Sequence, residues 1–234
     1  MPIVKNTMLI SFFSQIITLF LGISAQFLKL AKKHTILKHA LALENIVQFV
    51  EGFFYLWFIL FYIKNVDKTD IAKYRYYDWF ITTPTMILST IAYFHYNNTI
   101  NTKQEGFTLL EFIKTNKENI IEIFSYNFGM LISGYLQEIG LINKILSTSF
   151  GFIFFGIMFY KIYQYYARKS YSNLFIFFIM LLIWSIYGIA ALFKFNIKNA
   201  FYNILDIFSK NFYGLFLTYL VYSLSFNYNN NTLN

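Results

Sequence analysis

Apolar residues fill seven long stretches of the chain, and short polar breaks separate these stretches. A helix that rises about 1.5 Å per residue needs about 20 apolar residues to cross the hydrocarbon core of a bilayer. The pattern therefore predicts an all-α membrane protein, a seven-transmembrane-helix bundle. The predicted spans are residues 8–30, 41–63, 71–96, 119–139, 141–167, 171–195 and 200–226.

The composition agrees with a membrane domain and excludes several other classes. Only 13% of the 234 residues are charged, whereas soluble domains carry about 25%. Cys is absent, which excludes disulfides and thiolate catalysis. The three His form no pair on a helix face, so we expect no metal site. One domain is expected over residues 1–228, followed by an Asn-rich, disordered tail at 229–234.

The positive charges predict how the bundle is oriented. The net charge is +8, but the basic residues lie between the spans and form no single patch, so we expect no nucleic-acid partner. The linkers at residues 29–39 and 168–169 are both basic and lie on the same side of a seven-helix topology. The positive-inside rule places that side in the cytoplasm, with the N-terminus outside and the C-terminus cytoplasmic. In the third linker, residues 107–113 predict a short amphipathic helix on the membrane surface.

A single lysine stands in the middle of the last apolar stretch. Lys210 lies within residues 204–221, and Asp206 precedes it by one helical turn. An ammonium at the bilayer centre costs roughly 2.5 to 3.5 kcal/mol even on lenient insertion scales, so such a lysine is by default a functional residue. Its nitrogen is either half of an ion pair with Asp206 or the amine of a Schiff base.

Charged residues also open the third span. Arg75 and Asp78 are separated by three positions, and Thr82 follows Asp78 by one turn on the same face. Arg75 taken alone fits a side chain that snorkels to the interface. Asp78 lies deeper and needs a cation, which Lys210 of the last span would supply.

These two motifs resemble the microbial rhodopsins, and the resemblance extends over all seven spans. Arg75-x-x-Asp78-Trp79-x-x-Thr82-x-Pro84 matches their third helix, and Asp206-x-x-x-Lys210 matches their seventh. The resemblance implies a photoreceptor, not an enzyme, that carries all-trans retinal in the dark as a protonated Schiff base on Lys210. It implies that Asp78 and Asp206 act as counterion and proton acceptor, with Arg75 and Thr82 beside them. The implied retinal contacts are Trp79, Thr83, Met86, Trp184 and Tyr187, with Gly188 in place of the usual Pro.

Two polar stripes predict a path for ions. Glu44, Gln48, Glu51 and Tyr55 recur at helical spacing on the second span, and Asn211 directly follows the lysine. Glu44 alone would also fit an interfacial residue, whereas Glu51 lies two turns deeper. The first span carries a stripe that would equally fit helix packing; its members are Ser11, Ser14, Gln15, Thr18 and Gly22.

The stripes resemble the algal channelrhodopsins and the light-gated channels among viral rhodopsins of large DNA viruses. That resemblance implies a central gate of Glu51, Asn211 and either Ser11 or Ser14. It implies a light-gated cation channel, in which retinal isomerisation opens a polar path for H⁺, Na⁺ or K⁺ between helices 1, 2, 3 and 7. The protein would then lie in the cell membrane of the host.

Two other functions stay open at this stage. Outward proton pumps of the family reload the nitrogen from a carboxylate eleven residues after the third-helix acid, and here that position is Ser89. The connection at residues 193–203 also lacks Asp and Glu. Pumping is therefore disfavoured, and a weak outward proton pump is the second interpretation. A photosensory rhodopsin is the third, and the sequence leaves homo-oligomer formation open.

Overall fold

The computed structural model describes residues 2–64, 71–102 and 106–233, and this part of the chain is helical apart from short connections. The helices are α1 Pro2–Gln26, α2 Thr35–Lys64, α3 Ile71–Thr99, α4 Leu109–Thr115, α5 Lys117–Glu138, α6 Lys144–Tyr165, α7 Tyr171–Ala190, α8 Phe195–Asp206 and α9 Phe212–Leu233. A π-helical segment, Ile207–Asn211, joins α8 to α9, so residues 195–233 form one continuous span.

The predicted seven-helix bundle is confirmed. Its long helices are α1, α2, α3, α5, α6, α7 and the joined α8–α9. Each span packs on the next in sequence, and α1 also packs against α8 and α9, which closes the ring. Four described helical stretches are long and apolar enough by themselves to cross a membrane, at Ile3–Gln26, Lys32–Phe61, Lys144–Lys169 and Tyr171–Ala190. The other long helices carry more of the polar and charged residues of the interior.

Several helices extend past the boundaries that hydrophobicity predicts. Helix α2 begins at Thr35, six residues before the predicted position 41, and the last span begins at Phe195 instead of 200. Polar first turns continue these helices beyond the apolar core, where hydropathy gives no signal. Helix α9 runs to Leu233, past residue 229 where we predicted the disordered tail to begin; the domain boundary itself stays a prediction.

The distribution of side chains is the reverse of that in a soluble protein. Large apolar residues are exposed on the outer surface, for example Phe20 at 69%, Phe49 at 66% and Leu182 at 65%. Ionisable and amide side chains are buried instead in the centre of the bundle, including Gln15, Glu51 and Lys210. Lipid solvates the apolar surface, so the polar groups must find their partners inside.

The linker between α3 and α5 forms the predicted short helix. Thr108 caps α4 by accepting a hydrogen bond from the Glu111 amide at 3.2 Å, and the Glu111 carboxylate accepts from the Thr108 amide at 2.7 Å. The amide of Leu109 donates to His39 Nδ1 at 3.2 Å. The linker is therefore fixed to the start of α2. Its place on the membrane surface stays a prediction.

Asn173 ties α7 to the end of α3. It is fully buried, and its amide nitrogen donates to the Phe94 carbonyl at 3.1 Å and to Asn98 Oδ1 at 3.0 Å. Its own Oδ1 accepts from Asn97 at 2.8 Å. A polar side chain with this many partners in an apolar setting fixes how the two helices meet.

We predict that Asn173→Leu lowers the stability of the bundle by about 1–3 kcal/mol, because it leaves buried groups on α3 without partners. Thermal unfolding followed by circular dichroism measures the loss. Ser172→Leu, one residue earlier and exposed, is the matched control and should unfold at the wild-type temperature. Equal melting of the two variants would show that the Asn173 contacts contribute little.

Candidate functional site

Lys210 lies in the π-helical segment at the centre of the bundle and is only 2% exposed. Its Nζ lies 3.1 Å from Asp206 Oδ1 and 3.5 Å from Asp78 Oδ2. A third carboxylate, that of Glu51 on α2, also forms an ion pair and a hydrogen bond with Nζ. The structure therefore brings Lys210 together with both predicted acids and adds a third.

The position of Glu51 differs from the predicted gate. Glu51 and Asn211 were expected to meet at a constriction, but among the described contacts the Glu51 carboxylate bonds to Lys210 instead. Asn211 turns towards α1 and α2. The long lysine side chain reaches across to α2, while the short Asn side chain leaves the same span on another face. Residue spacing within one helix carries no information about such a contact between helices.

Arg75 lies beside Asp206. Its Nη1 lies 3.5 Å from Asp206 Oδ2, its Nε donates to Asn199 Oδ1 at 3.2 Å, and its Nη2 donates to Asn203. Since Arg75 is only 1% exposed, the alternative of an interfacial, snorkelling side chain is wrong. Asn199, Asn203 and Asp206 follow at helical spacing, a signal that sequence reasoning missed.

Two tyrosines complete the surroundings of Asp206. Tyr55 donates to Asp206 Oδ2 at 2.6 Å and Tyr187 donates to Oδ1 at 2.7 Å. The Tyr187 hydroxyl also lies 2.8 Å from Ser209 Oγ. Charge-assisted hydrogen bonds of this kind favour an ionised carboxylate. Tyr187 was predicted only as a retinal contact, and Tyr55 only as a member of the polar stripe on the second span.

Thr82 does not make the contact that we expected. Its hydroxyl donates to the backbone carbonyl of Asp78 at 3.1 Å, and among the described contacts it does not reach the carboxylate. A hydroxyl one turn along a helix bonds readily to the preceding carbonyl. Support for the charge of Asp78 therefore comes from Lys210 and not from Thr82.

The charges of this cluster do not balance. Lys210 and Arg75 supply two positive charges, against three carboxyl groups from Glu51, Asp78 and Asp206, and all five side chains are at most 2% exposed. A net charge buried away from water is costly. One carboxyl group therefore keeps its proton, or a mobile cation shares the site.

A cavity of about 830 Å³, including the part open to the outside, extends from Lys210 between α3, α5, α6 and α7. Every residue predicted to contact retinal lines it: Trp79, Thr83, Met86, Trp184, Tyr187 and Lys210. The amine at one end and the apolar walls fit a long apolar aldehyde.

The cavity is also lined by aromatic residues that the sequence motifs do not predict. Tyr202 packs edge-on against Trp79, with ring centroids 5.1 Å apart, and stacks on Tyr187 at 5.8 Å. Phe155 and Tyr76 also face the cavity. Asn127 of α5 donates to Thr83 Oγ1 at 2.9 Å. This bond holds α5 against α3 at the cavity wall.

A second polar group, on the other side of Lys210, closes the space between α1, α2 and α9. Asn211 Nδ2 lies within hydrogen-bonding distance of Gln15 Oε1 at 3.2 Å, Thr18 Oγ1 at 3.1 Å and Gln48 Oε1 at 3.1 Å. We call Gln15, Thr18, Gln48 and Asn211 the polar plug. Gln48 Nε2 also donates to the Lys210 carbonyl at 3.0 Å. The plug is thereby joined to the backbone of the lysine.

The remaining predicted pathway residues lie above and below the plug. Glu44 is fully buried and accepts a hydrogen bond from Ser89, so the alternative of an interfacial Glu44 is wrong. Ser11 is also fully buried. Ser14 is only partly buried, which leaves Ser11 as the better placed of the two serines.

The fold is shared with solved structures of light-responsive proteins. The viral rhodopsin OLPVRII has 28% identity and a TM-score of 0.82, over 94% of this chain and 98% of that one. Xanthorhodopsin, described as a light-driven ion pump with dual chromophore, has 15% identity and a TM-score of 0.72, over 97% and 94%. The proton pumping rhodopsin AR2 from the marine alga Acetabularia acetabulum has 14% identity and a TM-score of 0.70, over 97% of both chains.

A search of curated proteins gives no match to the sequence. The family model of bacteriorhodopsin-like proteins, in contrast, matches residues 6–224, nearly the whole chain. The chain therefore belongs to the bacteriorhodopsin-like family of microbial rhodopsins, integral membrane proteins that bind retinal through a lysine.

Proposed function

We propose that this microbial rhodopsin is a light-gated cation channel with its pathway between α1, α2, α3 and α9. Lys210 would hold retinal, and Trp79, Thr83, Met86, Trp184 and Tyr187 would enclose it. When bound, retinal supplies the absorption of visible light and a change of shape at the lysine nitrogen. The protein's own groups then determine whether an ion crosses.

The observation that carries the proposal is a file of buried polar atoms without a protein partner among the described residues. Four of the eight such atoms belong to the predicted pathway: Ser11 Oγ, Gln15 Nε2, Glu44 Oε2 and Asn211 Oδ1. A fifth, Asp78 Oδ1, lies in the cluster around Lys210. A buried polar atom without a hydrogen bond costs about 1–3 kcal/mol. Water satisfies such atoms where the surroundings are polar. A hydrated file at the α1, α2 and α9 interface therefore accounts for all four.

The lysine is coupled to this file by two contacts. Its Nζ pairs with Glu51, and its backbone carbonyl accepts from Gln48 at 3.0 Å. The π-helical turn widens the backbone here, a feature that is common at functional sites. When the lysine nitrogen moves or loses its charge, Glu51 loses its partner and Gln48 is pulled away from Asn211. Both changes open the polar plug.

The charges of the path favour cations. Glu44 and Glu51 are the acids on the α2 side, and the plug supplies amide and hydroxyl oxygens. Oxygen ligands replace the hydration shell of a cation, and a carboxylate at a constriction repels anions. Protons, Na⁺ and K⁺ are the proposed permeant ions.

The arrangement in the membrane is also part of the proposal. We place the basic linkers at residues 29–39 and 168–169 in the cytoplasm and the N-terminus outside, in the cell membrane of the host. His34 Nδ1 lies 2.8 Å from the Tyr96 hydroxyl, and burial together with the neighbouring Lys33 charge lowers the pKa of His34. His34 is therefore neutral at pH 7 and adds no charge to the cytoplasmic entrance. A homo-oligomer is compatible with this arrangement.

A specific contact favours a second candidate, a weak outward proton pump. Ser89 stands where the family's pumps have a proton-donating acid, but its hydroxyl bonds to Glu44 of α2. Glu44 therefore lies where a donor is needed, on the cytoplasmic side of Lys210. Three acids on the other side, Glu51, Asp78 and Asp206, are available as acceptors. A photosensory role has no comparable contact in its favour.

We predict that Lys210→Ala, expressed with retinal, loses the visible absorption band, because the attachment point is gone. Lys198→Ala is the matched control, since Lys198 is also a buried lysine but pairs with Glu138 at 2.6 Å. That variant should keep its band. Absorption spectroscopy of the purified proteins measures the band. A wild-type band in Lys210→Ala would overturn the assignment of Lys210 as the retinal attachment point.

Glu51→Gln should keep the chromophore but change both colour and conduction. Loss of a negative charge beside Nζ shifts the band to longer wavelength, and loss of the carboxylate on the path lowers the cation photocurrent roughly tenfold, as an added barrier of about 1.4 kcal/mol does. Whole-cell recording measures the current. The control Glu122→Gln removes an acid that pairs with Lys161 at 2.8 Å outside the path. It should leave both the absorption band and the photocurrent unchanged.

The wild-type current should reverse near the equilibrium potential of the permeant cation. A current that stays outward at all voltages and ignores external Na⁺ would reject the channel and favour the pump.

If the protein is a pump, Glu44 must return a proton to the Lys210 nitrogen after each light reaction. Under that candidate, Glu44→Gln makes recovery after a flash depend on protons from the bulk, so that recovery slows about tenfold for each unit of pH increase. Flash photolysis between pH 6 and 9 measures this. If wild type and variant recover at the same rate throughout, Glu44 is not a proton donor.

A further inference from the structure

Two amide side chains of α8 determine where the guanidinium group of Arg75 lies. Its Nε donates to Asn199 Oδ1 at 3.2 Å, and its Nη2 donates to Asn203 Oδ1. The contact with the nearby acid is looser, because Nη1 lies 3.5 Å from Asp206 Oδ2, whereas a close charge-assisted hydrogen bond measures roughly 2.7–2.9 Å. The acid attracts the arginine, but the amides set its position.

Aromatic rings surround the same guanidinium group. The Arg75 Cζ lies 5.2 Å from the ring centroid of Phe58 and 5.7 Å from those of Tyr55 and Tyr202. Ring faces attract a cation, but they do not fix the direction of its N–H groups. The hydrogen bonds to the two amides must therefore fix that direction.

Asn203 uses its whole hydrogen-bonding capacity at this place. Its Oδ1 accepts from Arg75 and, at 3.1 Å, from the Tyr55 hydroxyl. Its Nδ2 donates to Thr7 Oγ1 at 2.8 Å and to the Val4 carbonyl at 3.2 Å, both on α1. The side chain is also fully buried. Because the nitrogen is bound to α1, the oxygen is turned towards the arginine.

We propose that Asn203 is a positioning residue, which holds Arg75 beside Asp206 and thereby sets the pH at which the acids around the retinal nitrogen take up a proton. A cation beside a carboxylate favours the ionised form of that carboxylate. A neutral amide can anchor the cation without neutralising it, whereas an acid at position 203 would compete with Asp206 for its charge. The proposal rests on Lys210 as the attachment point of retinal and not on the conduction of ions.

Several titratable or charged side chains lie around the pair of Arg75 and Asp206 and share its titration. They are Glu51 and Tyr55 of α2, Asp78 of α3, Tyr187 of α7, Tyr202 of α8, Lys210 and, beyond Tyr202, the ion pair of Lys198 with Glu138 of α5. On α1 the contacts of Asn203 are Val4 and Thr7, which carry no charge. Asn203 itself does not titrate, so a change at this position reaches the acids through the position of Arg75.

The test is a titration of colour in the dark. Wild-type protein and variants with bound retinal are taken from alkaline to acidic pH, and a shift of the visible band to longer wavelength marks the uptake of a proton by the acids. In Asn203→Leu the guanidinium loses an anchor and turns away from Asp206, so the transition should move to higher pH by about one unit or more. Thr7→Val removes an acceptor of Asn203 and should move the transition in the same direction by a smaller amount.

Two controls accompany these variants. Asn196→Leu is the matched one, because Asn196 lies on the same helix, is partly buried, and its Oδ1 has no hydrogen-bond partner among the described residues; it should keep the wild-type transition. Arg75→Gln should itself have its transition at higher pH. Adding Asn203→Leu to Arg75→Gln should cause no further shift, because the effects of residues that act through one another are not additive.

A lower unfolding temperature of Asn203→Leu with an unmoved colour transition would show a structural role only and would overturn the proposal. An equal shift in Asn196→Leu, or a further full shift in the double variant, would overturn it as well. If Asn203→Leu forms no chromophore, Thr7→Val provides the test, and a wild-type transition in that variant rejects the proposal. Failure of the retinal assignment would appear separately, as a visible band in Lys210→Ala.

Discussion

The positive charge of Lys210 is the constraint on which the rest of the interior depends. An ammonium in the middle of a bilayer is stable only beside anions, and Glu51, Asp78 and Asp206 come from three different helices to meet it. Asp206 has further partners in turn, which are Arg75, Tyr55 and Tyr187. One buried cation therefore fixes how α2, α3 and α8 approach one another. Removing Lys210 would leave three buried carboxyl groups with Arg75 as the remaining cation of the cluster.

This dependence also accounts for a bundle that is polar inside and apolar outside. Lipid surrounds the helices, so burial of apolar side chains adds little to the attraction between them. Specific contacts must hold the helices in position. Asn173 joins α7 to α3, Asn127 joins α5 to Thr83 on α3, and Asn211 joins the last span to α1 and α2. Amide side chains, which both donate and accept, recur at these junctions because one residue can satisfy several groups.

Local patterns in the sequence predict the fold, and they also identify residues that the structure brings together around one cavity. Apolar length defines the spans, and the motifs around Asp78 and Lys210 lie within single helices, so all six predicted retinal contacts line one cavity. Contacts between helices are different. The pairing of Glu51 with Lys210 and that of Glu44 with Ser89 join residues far apart in the chain, and no spacing rule predicts them. The π-helical turn is hidden for a similar reason, since it depends on the packing around Lys210 and not on a residue pattern.

The same buried acids serve a channel or a pump, and the difference between the two lies in one barrier. A pump must keep the water file interrupted at every stage, whereas a channel interrupts it only in the dark. In the proposed channel the interruption beside Lys210 is the polar plug, in which one amide, that of Asn211, contacts Gln15, Thr18 and Gln48. Hydrogen bonds of this kind contribute about 0.5–1.5 kcal/mol each, so the plug holds by only a few kcal/mol. Because Gln48 also bonds to the Lys210 carbonyl, a small displacement of the lysine is enough to separate the plug, and a barrier this weak is suited to opening.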